Sequence, residues 1–190
     1  MAKRKKLYKS KSTSRILPLI FLTGLFLILI AGLLKLNQMG SLSFVGNIPV
    51  SASLKNKSFP QRILITDSKI DLTVSEARII NKSWEISGTG ASHLYTSAYP
   101  GEKGNIIIYG HNTLERFGKL TDVKKGSSIS VYTKDGKVHV YKVENIIVVN
   151  PNQTKPLLPT NYEVLTIYTC TGFADLKRLV IQAVPFTRET

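Results

Sequence analysis

Residues 61–190 alternate short β-like runs with turn residues, and this pattern limits the possible fold more than any other feature of the sequence. The runs are rich in Ile, Val, Thr and Tyr and are bounded by Gly, Asn, Asp or Pro, as is typical of strands. They lie at 62–74, 83–87, 104–112, 127–133, 137–149, 163–170 and 178–184. Many short strands and few helices over about 130 residues predict an all-β domain, folded as a closed or nearly closed barrel.

Local signals refine this prediction. An Asp-Gly pair at 135–136 lies between two runs and predicts a β-hairpin. The runs at 105–110 and 145–150 are apolar at consecutive positions, which predicts strands that are covered on both faces. Only "TVSEARII" at 73–80 and "TLERFGKL" at 113–120 suggest helices, and both are short.

A second region, at 16–34, contains nineteen residues without a charge and predicts a membrane-spanning helix. At about 1.5 Å per residue such a helix is about 28 Å long, close to the thickness of the hydrocarbon core of a bilayer. A cleaved signal peptide is the alternative, since basic residues precede the apolar run. The run exceeds the usual apolar core of about 7 to 15 residues and no small-x-small cleavage pattern follows it, so an uncleaved signal anchor is favoured.

The distribution of charge predicts the orientation of the chain. Residues 1–15 contain seven Lys or Arg and no acid, whereas the other flank of the apolar run begins with only Lys35. Because basic flanks stay in the cytoplasm, we expect a cytoplasmic tail at 1–15 and a single pass through the cell membrane at 16–34. The domain at 61–190 is then extracytoplasmic. Residues 35–60 are rich in Ser, Asn, Gly and Lys and are predicted to form a stalk.

The high basicity of the chain does not indicate nucleic-acid binding. Outside the tail, nineteen basic residues face twelve acidic ones, so the formal charge falls from +14 to +7. The remaining basic residues are scattered and form no stripe interleaved with aromatic residues. We therefore expect no nucleic-acid partner.

Three reactive side chains occur where predicted strands begin or end. Cys170, the only cysteine, closes the run at 163–170, His111 follows the apolar strand that starts at 104, and Arg178 opens the last run. These residue types suit acyl transfer, because cysteine attacks a carbonyl, histidine carries protons and arginine donates hydrogen bonds to an oxyanion. The alternative for Cys170 is a small buried hydrophobic residue, since unpaired cysteines are often buried.

The other histidines are weaker candidates. His139 alternates within a hairpin strand, where a solvated or cross-strand role is expected. His93 lies in a stretch rich in Gly and Ser and is a candidate for substrate binding at the border of a site. No Cys/His spacing suggests zinc, and the acidic residues are too isolated in sequence for calcium, so no metal or other cofactor is expected.

Several stretches together resemble the sortases, which are membrane-anchored cysteine transpeptidases of bacteria. They are "SAYPGEKGN" before the histidine strand, "YGHN", "TLERFGKLTDVKKGS", "TIYTC" and "KRLVIQA", with "RILITDSKIDLTV" as a first strand and "SGTGASHLYTS" after a short helix. The resemblance covers about residues 60–186. It implies a closed eight-stranded barrel with one or two short helices, preceded by a single N-terminal transmembrane helix.

The resemblance also implies roles for individual residues. Cys170 matches the catalytic cysteine of the family, His111 its histidine and Arg178 its arginine, and Thr169 matches the threonine that helps to position substrate. Lys177 is excluded as the arginine equivalent, because Arg178 keeps the usual Arg-hydrophobic-hydrophobic register. The loop between Cys170 and Arg178 has seven residues, fewer than in several subfamilies, so substrate preference is not transferred.

The implied activity is cleavage of an LPxTG-like sorting signal near the C-terminus of an exported protein through a thioester with the cysteine. The acyl group would pass to an amine of a cell-wall precursor or of a pilin lysine. Another cysteine acyltransferase, an L,D-transpeptidase, is one alternative, but its Ser-x-Gly-Cys signature is absent. A catalytically inactive, membrane-tethered β-barrel that binds a partner is the other.

Overall fold

The computed structural model describes residues 13–38, 58–80 and 83–186, and within the first of these ranges it describes side chains at 18–33. The chain divides into two compact units, residues 1–40 and 41–190. In the first unit, helix α1 extends over Thr13–Gln38, which confirms a helix at the apolar run.

The membrane-related predictions gain no support from the fold. Among the described residues, no helix combines the length and the apolarity that crossing a bilayer requires. The transmembrane anchor at 16–34 therefore stays a prediction. Most of the predicted tail and stalk lies outside the described residues.

The second unit contains ten strands in its described part. They are β1 (Pro60–Ile65), β2 (Ile70–Ala77), β3 (Ile79–Ile80), β4 (Ser83–Trp84), β5 (Ala91–Leu94), β6 (Gly104–Tyr109), β7 (Ser128–Thr133), β8 (Val138–Val149), β9 (Glu163–Thr171) and β10 (Lys177–Pro185). Short 3₁₀ helices cover Thr66–Ser68, Phe117–Asp122, Lys155–Leu157 and Phe173–Asp175. Eight of these strands close into a barrel in the order β1-β2-β5-β6-β9-β10-β8-β7, while β3 and β4 pair separately. The predicted closed eight-stranded barrel is confirmed.

Alternation along the strands divides the core into two clusters. In β6, Ile106 and Ile108 join the larger cluster, while Ile107 and Tyr109 join a second one that also contains Trp84. Because successive side chains point to opposite faces of a strand, the first cluster fills the barrel and the second lies on the outer face of its wall. The prediction that β6 is covered on both faces is confirmed.

Two local predictions are wrong. The helix expected at 73–80 is absent, because these residues form the end of β2 and all of β3. In β2 the residues Ile70, Leu72 and Val74 are buried at alternate positions, and their burial in the barrel outweighs a helical pattern of only eight residues. The second half of β8 is not covered on both faces, since Val148 is exposed.

The other local predictions fare better. The Asp-Gly pair lies in the turn between β7 and β8, where Gly136 has a φ of 80° that favours glycine. The helix expected at 113–120 is present only as the 3₁₀ helix Phe117–Asp122.

Candidate active site

Three neighbouring strands of the barrel bring the predicted catalytic residues to one rim. β6 runs parallel to β9, and β10 runs antiparallel to β9. The carboxyl ends of β6 and β9 and the amino end of β10 therefore lie at the same edge of the wall. His111 follows β6, Cys170 lies near the end of β9 and Arg178 lies at the start of β10.

Cys170 and Arg178 are direct cross-strand partners. Directly opposed residues on neighbouring antiparallel strands project to the same face, with Cβ atoms about 4.5–5.5 Å apart. Both side chains are shielded from solvent, with exposed fractions of 7% for Cys170 and 1% for Arg178. Nη1 of Arg178 donates hydrogen bonds to the carbonyl oxygens of Asp175 and Lys177, each at 3.0 Å. These bonds fix the guanidinium beside the cysteine.

His111 is positioned by the continuation of the β6–β9 pairing. Tyr109 and Tyr168 are partners in the parallel register. The next residues remain connected, because the Thr169 hydroxyl donates a hydrogen bond of 2.8 Å to the carbonyl oxygen of Gly110. His111 follows one residue later, beyond the end of β6, and Cys170 lies in β9 in the same outer-face cluster as Tyr109 and Tyr168.

The surroundings of the two reactive groups favour their uncharged forms. Burial raises the pKa of the Cys170 thiol, and Asp175 raises it further, although the positive charge of Arg178 opposes both effects. Burial lowers the pKa of His111, Arg116 lowers it further, and Asp175 acts in the opposite direction. Both pKa shifts favour the uncharged forms, a thiol at Cys170 and a neutral imidazole at His111.

A layer of aromatic rings packs in the same cluster as Cys170. The rings of Tyr109 and Tyr168 stack with centroids 5.3 Å apart, and Trp84 meets them edge-on at 5.0 and 5.7 Å. The Tyr109 hydroxyl donates a hydrogen bond of 2.5 Å to the carbonyl oxygen of Glu85. These contacts attach the β3–β4 segment to the outer wall and give the site a rigid apolar base.

The loop between β9 and β10 borders the site and carries the group that sequence reasoning missed. Asn112 Nδ2 donates a hydrogen bond of 3.4 Å to Oδ1 of Asp175. Asp175 is an isolated acid in the sequence. Its position in the short loop that joins Cys170 to Arg178 is the sequence feature that could have indicated a place near the site. Phe173 in the same loop is 90% exposed.

His93 does not lie at this rim, and its placement argues against the predicted role in substrate binding. It pairs with Ile108 in the barrel wall and is completely buried. Its Nε2 lies 3.0 Å from the carbonyl oxygen of Ala98, and its Nδ1 lies 3.9 Å from a carboxylate oxygen of Glu76. A side chain that is buried and bonded in this way stabilises the fold instead.

His139 pairs with Val131 across the β7–β8 hairpin, as its cross-strand interpretation expects. In the ranges that the structure describes, no group of three or more His, Cys, Asp or Glu side chains is arranged to hold a metal ion.

Replacing Thr169 with valine is expected to weaken both the fold and the site. The substitution keeps the shape of the side chain but removes a buried hydrogen bond to Gly110, which precedes His111. We expect a loss of about 1–3 kcal/mol in the free energy of unfolding, measured by denaturant titration. The Thr169→Ser variant keeps the hydroxyl and is the matched control. Equal unfolding free energies for the valine variant and the native chain would show that this bond is unimportant.

A comparison with protein families identifies the same family as the sequence motifs do. The family model described as a sortase domain matches residues 63–186. No significant match was found among curated proteins.

Solved sortases share the fold. Sortase A from Corynebacterium diphtheriae is 27% identical with a TM-score of 0.58, over 70% of this chain and 63% of that one. Sortase C1 of GBS pilus island 1 is 20% identical with a TM-score of 0.56, over 68% of this chain and 66% of that one. A sortase D5 transpeptidase from Clostridium perfringens is 23% identical with a TM-score of 0.59, over 71% of this chain and 83% of that one.

The chain thus spans slightly less than two thirds of the length of the first two of these structures. The family model nevertheless covers most of the chain and nearly all of the region from β1 to β10. The chain belongs to the sortase family, whose members are cysteine transpeptidases.

Proposed function

We propose that this chain is an active sortase, which cleaves an LPxTG-like signal near the C-terminus of exported proteins and transfers the acyl group to an amine. One observation carries the proposal: Cys170 lies directly opposite Arg178, and the strand that leads to His111 is the other neighbour of β9. A nucleophile, a proton carrier and a fixed cation at one rim are the groups that acyl transfer requires.

In the first half-reaction Cys170 passes its proton to His111, and the sulfur attacks the carbonyl carbon of a Thr-like residue in the signal. Arg178 donates hydrogen bonds to the carbonyl oxygen as it becomes an oxyanion. The C–N bond breaks, and His111 gives its proton to the departing amine. A thioester on Cys170 remains.

In the second half-reaction an acceptor amine attacks the thioester. His111 takes a proton from this amine, the C–S bond breaks, and the proton returns to the sulfur of Cys170. The acceptor is an amine of a cell-wall precursor or of a pilin lysine. The similarity to a sortase C1 of a pilus island, at 20% identity, supports the fold and does not decide between these acceptors.

We also propose that the chain is a single-pass protein of the cell membrane with its N-terminus in the cytoplasm and the barrel outside. The support is in the sequence, where seven basic residues precede nineteen residues without a charge. Expression of the full chain and of a variant with charged residues introduced at 16–34 tests this. The native chain is expected in the membrane fraction, and equal partitioning of the two would contradict the anchor.

Product analysis tests the enzymatic proposal. The full chain is incubated with peptides that contain LPxTG-like sequences and with either hydroxylamine or a lysine-containing peptide, and the products are identified by mass spectrometry. Cleavage after the Thr-like residue with transfer to the added amine is expected. A panel of such peptides left intact by folded protein would contradict the proposal.

The burial of Cys170 favours a second candidate function, that of an inactive β-barrel that binds a partner. The two functions differ in the reactivity of the thiol. An active-site Cys170 is expected to be alkylated by iodoacetamide in the folded protein, whereas a purely structural one is expected to react only after unfolding.

A further inference from the structure

We propose that Asp175 is a positioning residue of this site, whose carboxylate connects the loop that carries His111 to the loop between Cys170 and Arg178. The inference rests on the proposed function and assigns a role to a residue outside the predicted catalytic trio.

The first observation is a bridge between two loops. The amide Nδ2 of Asn112 donates a hydrogen bond of 3.4 Å to Oδ1 of Asp175. Asn112 directly follows His111 in the chain, so a contact to Asn112 restrains the backbone that carries the imidazole. Asp175, which lies in the loop between β9 and β10, therefore restrains the segment that follows β6.

The second observation concerns the backbone of Asp175. Its carbonyl oxygen accepts a hydrogen bond of 3.0 Å from Nη1 of Arg178, and its N–H donates to the carbonyl oxygen of Gly172 at 3.2 Å. Asp175 has a φ of 59° and the preceding Ala174 a φ of 50°, both in the left-handed region. Non-glycine residues rarely adopt this region, and when they do so at a site the surrounding contacts must hold them there. The backbone of Asp175 is thus held by Arg178 and Gly172, while its carboxylate accepts the hydrogen bond from Asn112.

The third observation is the balance of charge. The charges of Arg178 and Asp175 act on the thiol of Cys170, while those of Arg116 and Asp175 act on the imidazole of His111. Asp175 is the acid common to both reactive groups. Its negative charge raises the pKa of His111, where Arg116 lowers it, and raises the pKa of Cys170, where Arg178 lowers it.

These effects have a consequence for the reaction. The negative charge of Asp175 favours the imidazolium that forms when Cys170 gives its proton to His111, and this imidazolium must later protonate the departing amine. The same charge adds to burial, which is the larger effect, in favouring the protonated thiol of Cys170. Asp175 therefore favours a Cys170 that loses its proton to His111 during the reaction over a Cys170 that is already ionised in the free enzyme.

The Asp175→Asn variant tests the proposal. Asparagine removes the charge, tolerates a left-handed φ, and keeps an oxygen that accepts the hydrogen bond from Asn112. Because Cys170 is the only cysteine, the rate of alkylation by iodoacetamide as a function of pH reports its ionisation directly. The alkylation midpoint is expected to move to lower pH, and the rate at pH 7 to rise about two- to fivefold. Both limbs of the pH profile of transpeptidation are expected to move in the same direction.

Asp67→Asn is the matched control, because Asp67 is an exposed acid that is not among the groups shifting the pKa of Cys170 or His111. Its alkylation midpoint is expected to equal that of the native chain. Alkylation needs no peptide substrate, so it decides the role of Asp175 even where no sorting signal is cleaved. An Asp175→Asn protein with an unchanged midpoint overturns the proposal, whether or not its stability is reduced, since a purely structural role would alter only the unfolding transition.

Discussion

Replacing Cys170 with alanine is expected to reduce the rate of peptide cleavage by a factor on the order of 10³ or more. The reaction loses the atom that forms the thioester, and the chain has no second cysteine to replace it. The rate is measured with a fluorogenic sorting-signal peptide and excess hydroxylamine. The substitution removes only one buried sulfur atom, so the variant is expected to fold, and its circular dichroism and thermal unfolding serve as the control. Cleavage by Cys170→Ala at the native rate would exclude the mechanism.

Replacing Arg178 with lysine is expected to reduce the rate of cleavage by about 10²- to 10³-fold. Lysine keeps the positive charge but loses the planar guanidinium, which donates to the loop carbonyl groups and, in the proposed mechanism, also to a substrate oxygen. The rate constant at saturating peptide should fall more than the Michaelis constant changes, because the lost hydrogen bond strengthens as the oxyanion develops.

The neighbouring Lys177 provides the control for this prediction. Lys177 is exposed, and its Nζ donates a hydrogen bond of 2.6 Å to Oδ1 of Asn150, away from the cysteine pairing of Arg178. Lys177→Ala is expected to retain the native rate within about twofold. If Lys177→Ala lost activity and Arg178→Lys remained fully active, Lys177 and not Arg178 would be the cation that the reaction uses.

The barrel and its rim were predictable because the relevant signals are short-range. β6 and β9 are rich in β-branched and aromatic residues, and each is followed by a glycine, Gly110 or Gly172, so the strand ends could be located from the sequence. Their motifs resemble those of a known family in the right order. The pairing of Cys170 with Arg178 follows from two strands joined by one short loop.

Other features depend on contacts between distant segments and could not be read from the sequence. The segment at 73–80 was expected to be helical because its spacing suits a helix, but pairing of β2 with β1 and β5 decides its structure. His93 was placed near the site because of its Gly- and Ser-rich surroundings, whereas parallel pairing with Glu76 buries it in the wall. The influence of Asp175 arises from a left-handed turn, and no sequence pattern predicts that turn.

The central claim is that the sulfur of Cys170 forms a covalent acyl intermediate with a sorting signal. The most direct measurement is the intact mass of the protein after brief incubation with a sorting-signal peptide in the absence of an amine, followed by proteolysis to locate the added mass. We predict an increase equal to the acyl portion of the peptide, located on the fragment that contains Cys170 and removed by hydroxylamine. Peptide cleavage without any such adduct, or with the adduct on another residue, would contradict the claim.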